Sequence, residues 1–114
     1  MSAADIETIR HAAALMRERA EAATPGPWSN RRGPGEHVVR ADSGAPLANT
    51  NTRTDRRHIS SWHPFVALAV ADWLDQTAGD WQLIEDGVLW SRAITWDATK
   101  VRALAVARTY LGEQ

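Results

Sequence analysis

The stretch Ala-Thr-Pro-Gly-Pro-Trp, residues Ala23 to Trp28, constrains this chain more than any other. Ahead of it, Ile6, Ile9, Ala13, Met16, Ala20 and Ala23 recur at spacings of three and four, the apolar stripe of an amphipathic helix. Pro25 and Pro27 each lack a backbone N–H and clash with a preceding helical turn, so the helix has to stop there. Ser2, with Asp5 three residues on, suits its start as a cap.

Beyond the prolines the helical period is lost. Trp28–Arg31, His37–Ala41 and Pro46–Thr50 read as extended pieces, parted by the turn formers Arg32-Gly33-Pro34-Gly35 and Asp42-Ser43-Gly44. Together they predict a small antiparallel meander anchored by Val38, Val39 and Leu47. After a polar connection, Thr54 or Asp55 caps a short helix running through Ser61. Pro64 suits the first turn of a longer helix, Pro64–Ala78, which Gly79 ends. Phe65 to Ala71 is apolar on every face, so this central helix is expected to pack on two sides, with Asp72, Asp75 and Gln76 on its wet side. Asp86-Gly87 lies between the apolar runs Trp81–Glu85 and Val88–Arg92, which form either a hairpin or an irregular connector. Asp97 caps a last helix, Ala98–Leu111, with Val101, Leu104, Ala107 and Leu111 as its stripe and Gly112 as its stop. The expected fold is α+β: three main helices packed with a small antiparallel meander, with either an extra hairpin or an irregular connector at 81–92, and a single domain over 1–114.

Composition narrows the chemistry. The chain has no cysteine, which removes disulfides, thiolate metal sites and cysteine nucleophiles. It has no run of ~20 apolar residues to span a bilayer, and Asp5 and Glu7 stand where a secretory signal is basic. The reading is a cytoplasmic protein. Charge is uneven. Between residues 24 and 64, six arginines face three acids, a net +3, whereas residues 65–114 carry four bases and seven acids, a net −3. A mildly basic middle can meet phosphate or carboxylate but is far from a general nucleic-acid surface.

No catalytic constellation stands out. His11, His37, His58 and His63 lack the spacing of a paired metal site, and neither a phosphate-cradling loop nor a nucleophile motif is present. The expectation is no catalytic residue, no metal and no cofactor. The local reading of the histidines pairs His58 with Asp55 and has His63 cap or border the Pro64 helix. Two features invite a partner. One is six tryptophans, of which Trp28 and Trp73 are expected in the core, while Trp62, Trp90 and Trp96 near element ends reach the surface, where indoles mark binding hot spots. The other is the donor cluster Arg53, Arg56, Arg57 and His58, with Asn49 and Asn51, at the start of the short helix. It is either a site for phosphate or an acidic patch, or a solvated polar loop.

The order of helix, Thr-Pro-Gly-Pro-Trp, short strands, an acid before His58-Ile59, and a helix opened by Pro64 resembles the small accessory proteins of phages and prophages, with a layout similar to the Ead-like early proteins. Asp55 to Asp75, including Ala67-Leu68-Ala69-Val70-Ala71-Asp72-Trp73-Leu74, looks closer to small proteins of actinobacteria and their phages, as does Ala103 to Arg108 with Tyr110-Leu111-Gly112. The resemblance covers most of the chain outside residues 79–95, and its sharpest element is Thr-Pro-Gly-Pro-Trp. Proteins of that kind carry cysteines before the last helix in positions suited to zinc. Here the region reads Ile94-Thr95-Trp96-Asp97, so no zinc site carries over.

Small size, the lack of a catalytic constellation, the surplus of tryptophan and this resemblance together lead to the expectation of a non-enzymatic viral accessory protein that binds a host or defence-system protein in the host cytoplasm; the residues themselves offer Arg53, Arg56, Arg57, His58 and Trp62 as its binding surface. A homodimer through the Ala-rich first helix fits its close-packing face. The alternative is a nucleotide-binding or sequestering protein in which Trp62 stacks a base while Arg53, Arg56 or Arg57 holds phosphate. A metal-assisted hydrolase using His58, His63 and Asp72 ranks last, and sequence-specific DNA binding by the last helix is weaker still.

Overall fold

The computed structural model describes residues 2–29, 38–50, 52–88 and 94–112. In chain order they form α1 (Ser2–Ala22), β1 (Trp28–Ser29), β2 (Val38–Ala41), β3 (Pro46–Asn49), α2 (Arg53–Ser61), α3 (Pro64–Glu85) and α4 (Ile94–Leu111). The fold is α+β, with helices and a three-stranded antiparallel meander in the order β1-β2-β3. The turn at 32–35 and residues Arg31 and His37 of the expected strands lie outside the described residues, as does the side chain of Ser2. Among the described residues no helix is long and apolar enough to cross a membrane. The chain divides into two compact units, one of Met1–Met16 with Val70–Gln114, the other of Arg17–Ala69.

In the first unit, one face each of α1, α3 and α4 closes a shared core. Ile6, Ile9, Ala12, Ala13 and Met16 of α1 meet Ala71, Leu74, Ala78 and Trp81 of α3 and Ala103 and Ala107 of α4. The alanines let helix backbones approach closely, and Ile, Met, Leu and one indole fill the remaining volume. The alanine face of α1 is thus covered by the chain itself. Trp81 is 5% exposed. Its Nε1 donates to Glu85 Oε1 at 3.2 Å, and Lys100 Nζ lies 5.0 Å from its ring centroid. Arg108 and Asp5 tie α4 to α1 at 3.3 Å, an exposed pair that contributes well under ~1 kcal/mol.

Gly79 does not end α3, which runs on to Glu85, so Trp81–Glu85 is helix and not the first arm of a hairpin. Of the second arm, residues 89–93 lie outside the described residues. The reason is a matter of size. A glycine inside a helix costs about 1 kcal/mol, while sinking an indole of about 200 Å² recovers up to ~5 kcal/mol. The stripe Ala71, Leu74, Ala78, Trp81 needs the helix to continue. Asp86-Gly87 closes the helix instead of a hairpin. Gly87 sits at φ 75°, its N–H donates to Ile84 O at 3.1 Å, and Val88 N–H donates to Leu83 O at 2.9 Å. This is a Schellman C-cap. Nothing lies within 4 Å of a Cβ at Gly79 or Gly87, so substitution there tests the backbone alone. Gly79→Ala is expected to raise stability by about 0.5–1 kcal/mol and Gly87→Ala to lower it by about 1 kcal/mol. Thermal melts of opposite sign check this.

The last helix starts at Ile94, one turn before the expected Ala98. Asp97 therefore lies in its first turn and pairs with Lys100 at 3.3 Å. Its buried stripe is Ala103 and Ala107, flanked by Trp96, Leu104, Tyr110 and Leu111, and Val101 faces solvent. Gly112, at φ 79°, stops it as expected. Trp73 is not a core residue. It is 41% exposed, because the α3 stripe that faces the core passes through Ala71 and Leu74 on either side of it.

The second unit holds the meander and α2, together with the end of α1 and the start of α3. Trp28 pairs with Ala41 and Ser29 with Arg40, while Val38 and Val39 pair with Asn49 and Ala48. A register shift between Val39 and Arg40 sets Arg40 opposite Pro46, where a strand proline is tolerated. Gly44, at φ 91°, makes the hairpin turn, and Arg40 Nη1 donates to its carbonyl at 3.0 Å. α2 packs against β1 and β2. Val39 and Ala41 are buried, and Trp28 is half-buried instead of a core residue, its Nε1 donating to Thr24 O at 3.0 Å.

Candidate functional site

The donor cluster expected at the start of the short helix is rearranged by helical phase. Thr52, not Thr54 or Asp55, is the N-cap, with extended φ −138° and ψ 161°. Its hydroxyl accepts from Asp55 N–H at 3.0 Å and so occupies a donor that a bound phosphate would use. Thr50 Oγ1 in turn donates to Thr52 O at 2.9 Å, tying the approach to the cap.

From there burial follows the helical period. Arg56 is only 4% exposed and, with buried Ser60 one turn later, forms the inward side of the helix. It is not a surface donor, which corrects the expectation of an open arginine cluster. Arg57 and His58 are exposed, and so is Trp62, at 42%, the C-cap residue of α2. His58 and Trp62 are four apart, so they share a side of the helix. The side chains of Arg53 and Asn49, and all of Asn51, lie outside the described residues. Of the expected site residues, Arg57, His58 and Trp62 are each exposed, and Arg56 is buried.

Phe65 is the residue the sequence reading missed. It is 54% exposed, although an apolar stretch predicted a helix wrapped on both sides. Its ring meets His63 edge-on, with centroids 5.7 Å apart and planes at 85°. His63 caps α3 through its backbone, its carbonyl accepting from Val66 N–H at 3.0 Å and Ala67 N–H at 3.3 Å. Its Nδ1 is buried with no hydrogen-bond partner among the described residues. Phe65 follows directly on Pro64, and a first helical turn has only one flank to bury. That position was the available signal.

The result is a corner. α2 ends at Ser61, α3 begins at Pro64, and the two residues between them are Trp62 and His63. The corner presents an indole, a phenyl ring, a guanidinium and an imidazole. Such a mixture offers apolar area with charged and hydrogen-bonding groups beside it, the composition of a binding hot spot. Among the described residues, no group of three or more His, Asp or Glu side chains comes together to hold a metal ion. Trp90, expected at a surface, lies outside the described residues, and Trp96 packs against the core of the first unit. No protein-family model, curated protein or solved structure matches this chain.

Proposed function

We propose that this chain is a non-enzymatic accessory protein of phage type that works by binding a host or defence-system protein at the α2–α3 corner. The observation that carries the reading is Trp62, an indole left 42% exposed beside exposed Arg57 and His58. An exposed indole beside a guanidinium and an imidazole offers a partner a large apolar area to bury with polar groups at its rim, the make-up of a binding hot spot. The surrounding segment, residues 24–64, carries six arginines against three acids, so the matching surface is one bearing carboxylates around an apolar pocket. The nucleotide reading uses the same Trp62 and Arg57, but it has lost Arg56 as a phosphate ligand.

Affinity capture from an actinobacterial lysate, run with the wild type and with Trp62→Ala, tests the reading. The expected result is a specific protein whose affinity falls about 30-fold or more in Trp62→Ala, with an unchanged melting temperature. A captured protein that binds the variant equally well counts against the corner. A nucleotide that raises the melting temperature of the wild type but not of Trp62→Ala overturns protein binding in favour of sequestration.

A further inference from the structure

We propose that Gly26 is a positioning residue and that residues 24–28 form a brace that holds Trp62 and Phe65 in the pose a partner meets; the second half of this statement rests on the corner being the docking surface. Gly26 is not demanded by its backbone angles, since the described glycines with positive φ are Gly44, Gly87 and Gly112. It is demanded by proximity. A Cβ there would stand 3.0 Å from His63 Nδ1 and 3.5 Å from both Phe65 Cδ2 and Pro64 Cδ. Gly26 therefore lies close against three consecutive residues of the corner, and a side chain there would fit only if the imidazole gave way.

The brace is itself tied. Trp28 Nε1 donates back to Thr24 O at 3.0 Å, and Trp28 enters the meander opposite Ala41. On the other side, His63 has little room to yield. Its Nδ1 is buried, its ring abuts Phe65, and its carbonyl starts α3. A methyl group at position 26 has to push the imidazole by a few tenths of an ångström. That push passes to Phe65 through the ring contact and to Trp62 through the adjoining backbone. The sharpest element of the sequence, Thr-Pro-Gly-Pro-Trp, thereby acquires a task beyond stopping α1. It sets the attitude of two exposed aromatic rings, and a rigid anchor binds with less entropic loss than a mobile one.

The six indole N–H groups give a direct readout by proton–nitrogen correlation spectra, with Trp62 assigned through Trp62→Phe. Gly26→Ala is expected to displace the Trp62 and Trp28 peaks, leave Trp81 and Trp96 in place, and lower the melting temperature by about 3–8 °C. His63→Ala is expected to displace Trp62 as well. In the double variant the two methyl-sized groups refill the contact, so its Trp62 peak should lie nearer the wild type than either single variant does. Displacements that merely add, or a Trp62 peak unmoved by either change, would overturn the brace. Should Gly26→Ala not fold, His63→Ala alone decides: an unmoved Trp62 rejects the proposal. None of these spectra needs the partner. A coupled corner whose Trp62→Ala variant still binds tightly would reject the docking surface and leave the brace standing.

Discussion

Trp81→Ala is expected to destabilise the protein by about 3–5 kcal/mol, the cost of emptying a large aromatic site in a core. With an unfolding entropy of about 2.1 cal/mol/K per residue, a chain of this length should melt about 12–20 °C lower. The effect is large because Trp81 joins three helices. It is 5% exposed in the cluster that α1, α3 and α4 share, and its neighbours in that cluster are mostly alanines too short to close the gap. The hydrogen bond to Glu85 and the Lys100 ammonium over the ring add smaller losses, about 1 kcal/mol or less each. Against a total stability of about 5–15 kcal/mol, such a loss brings the fold near its limit. Trp81→Phe keeps an aromatic ring at the site and gives up the donor, so it should recover more than half of the deficit. Urea denaturation at constant slope measures both. A Trp81→Ala variant that melts within a few degrees of the wild type would show that the cluster does not depend on this indole.

Arg56→Ala is the second large effect, expected to cost about 2–4 kcal/mol, whereas Arg57→Ala should stay within about 0.5 kcal/mol. The two arginines are adjacent in sequence and opposite in consequence. Arg56 is 4% exposed and holds an interaction of its own, so its removal leaves a void and takes that interaction away. Arg57 is exposed, and the groups it leaves behind stay solvated. Equal melting temperatures for the two variants would contradict the burial of Arg56 and restore the open cluster.

The punctuation of the fold was legible from local chemistry. Pro25 and Pro27 stop α1, Pro64 opens α3, Gly112 ends α4, and the meander falls between polar turn residues. Each of these signals acts through one residue's own backbone. Gly79 and Asp86-Gly87 misled because the same residues serve two conformations: glycine is tolerated within a helix, and Asp-Gly suits a C-cap as well as a hairpin. The deciding term was the burial of Trp81, several residues from Asp86-Gly87, against helices distant in sequence. Half of the candidate site was legible in the same sense. Trp62 at an element end is expected at the surface and is there, while the arginines, adjacent in sequence, suggest one group that the phase of α2 divides by turning Arg56 inward.

Residue chemistry alone thus settled where α1 stops, where α3 opens, where α4 ends and which segment forms the meander, through prolines that remove donors, turn formers between strands and apolar residues spaced for α1. Tertiary structure alone decided facing. A step of one residue along a helix turns a side chain by about 100°, enough to send Arg56 inward and Arg57 outward, or Leu74 inward and Trp73 outward. Which of the two faces is buried depends on the element that packs against the helix, and in the helical core that element arrives from up to a hundred residues away.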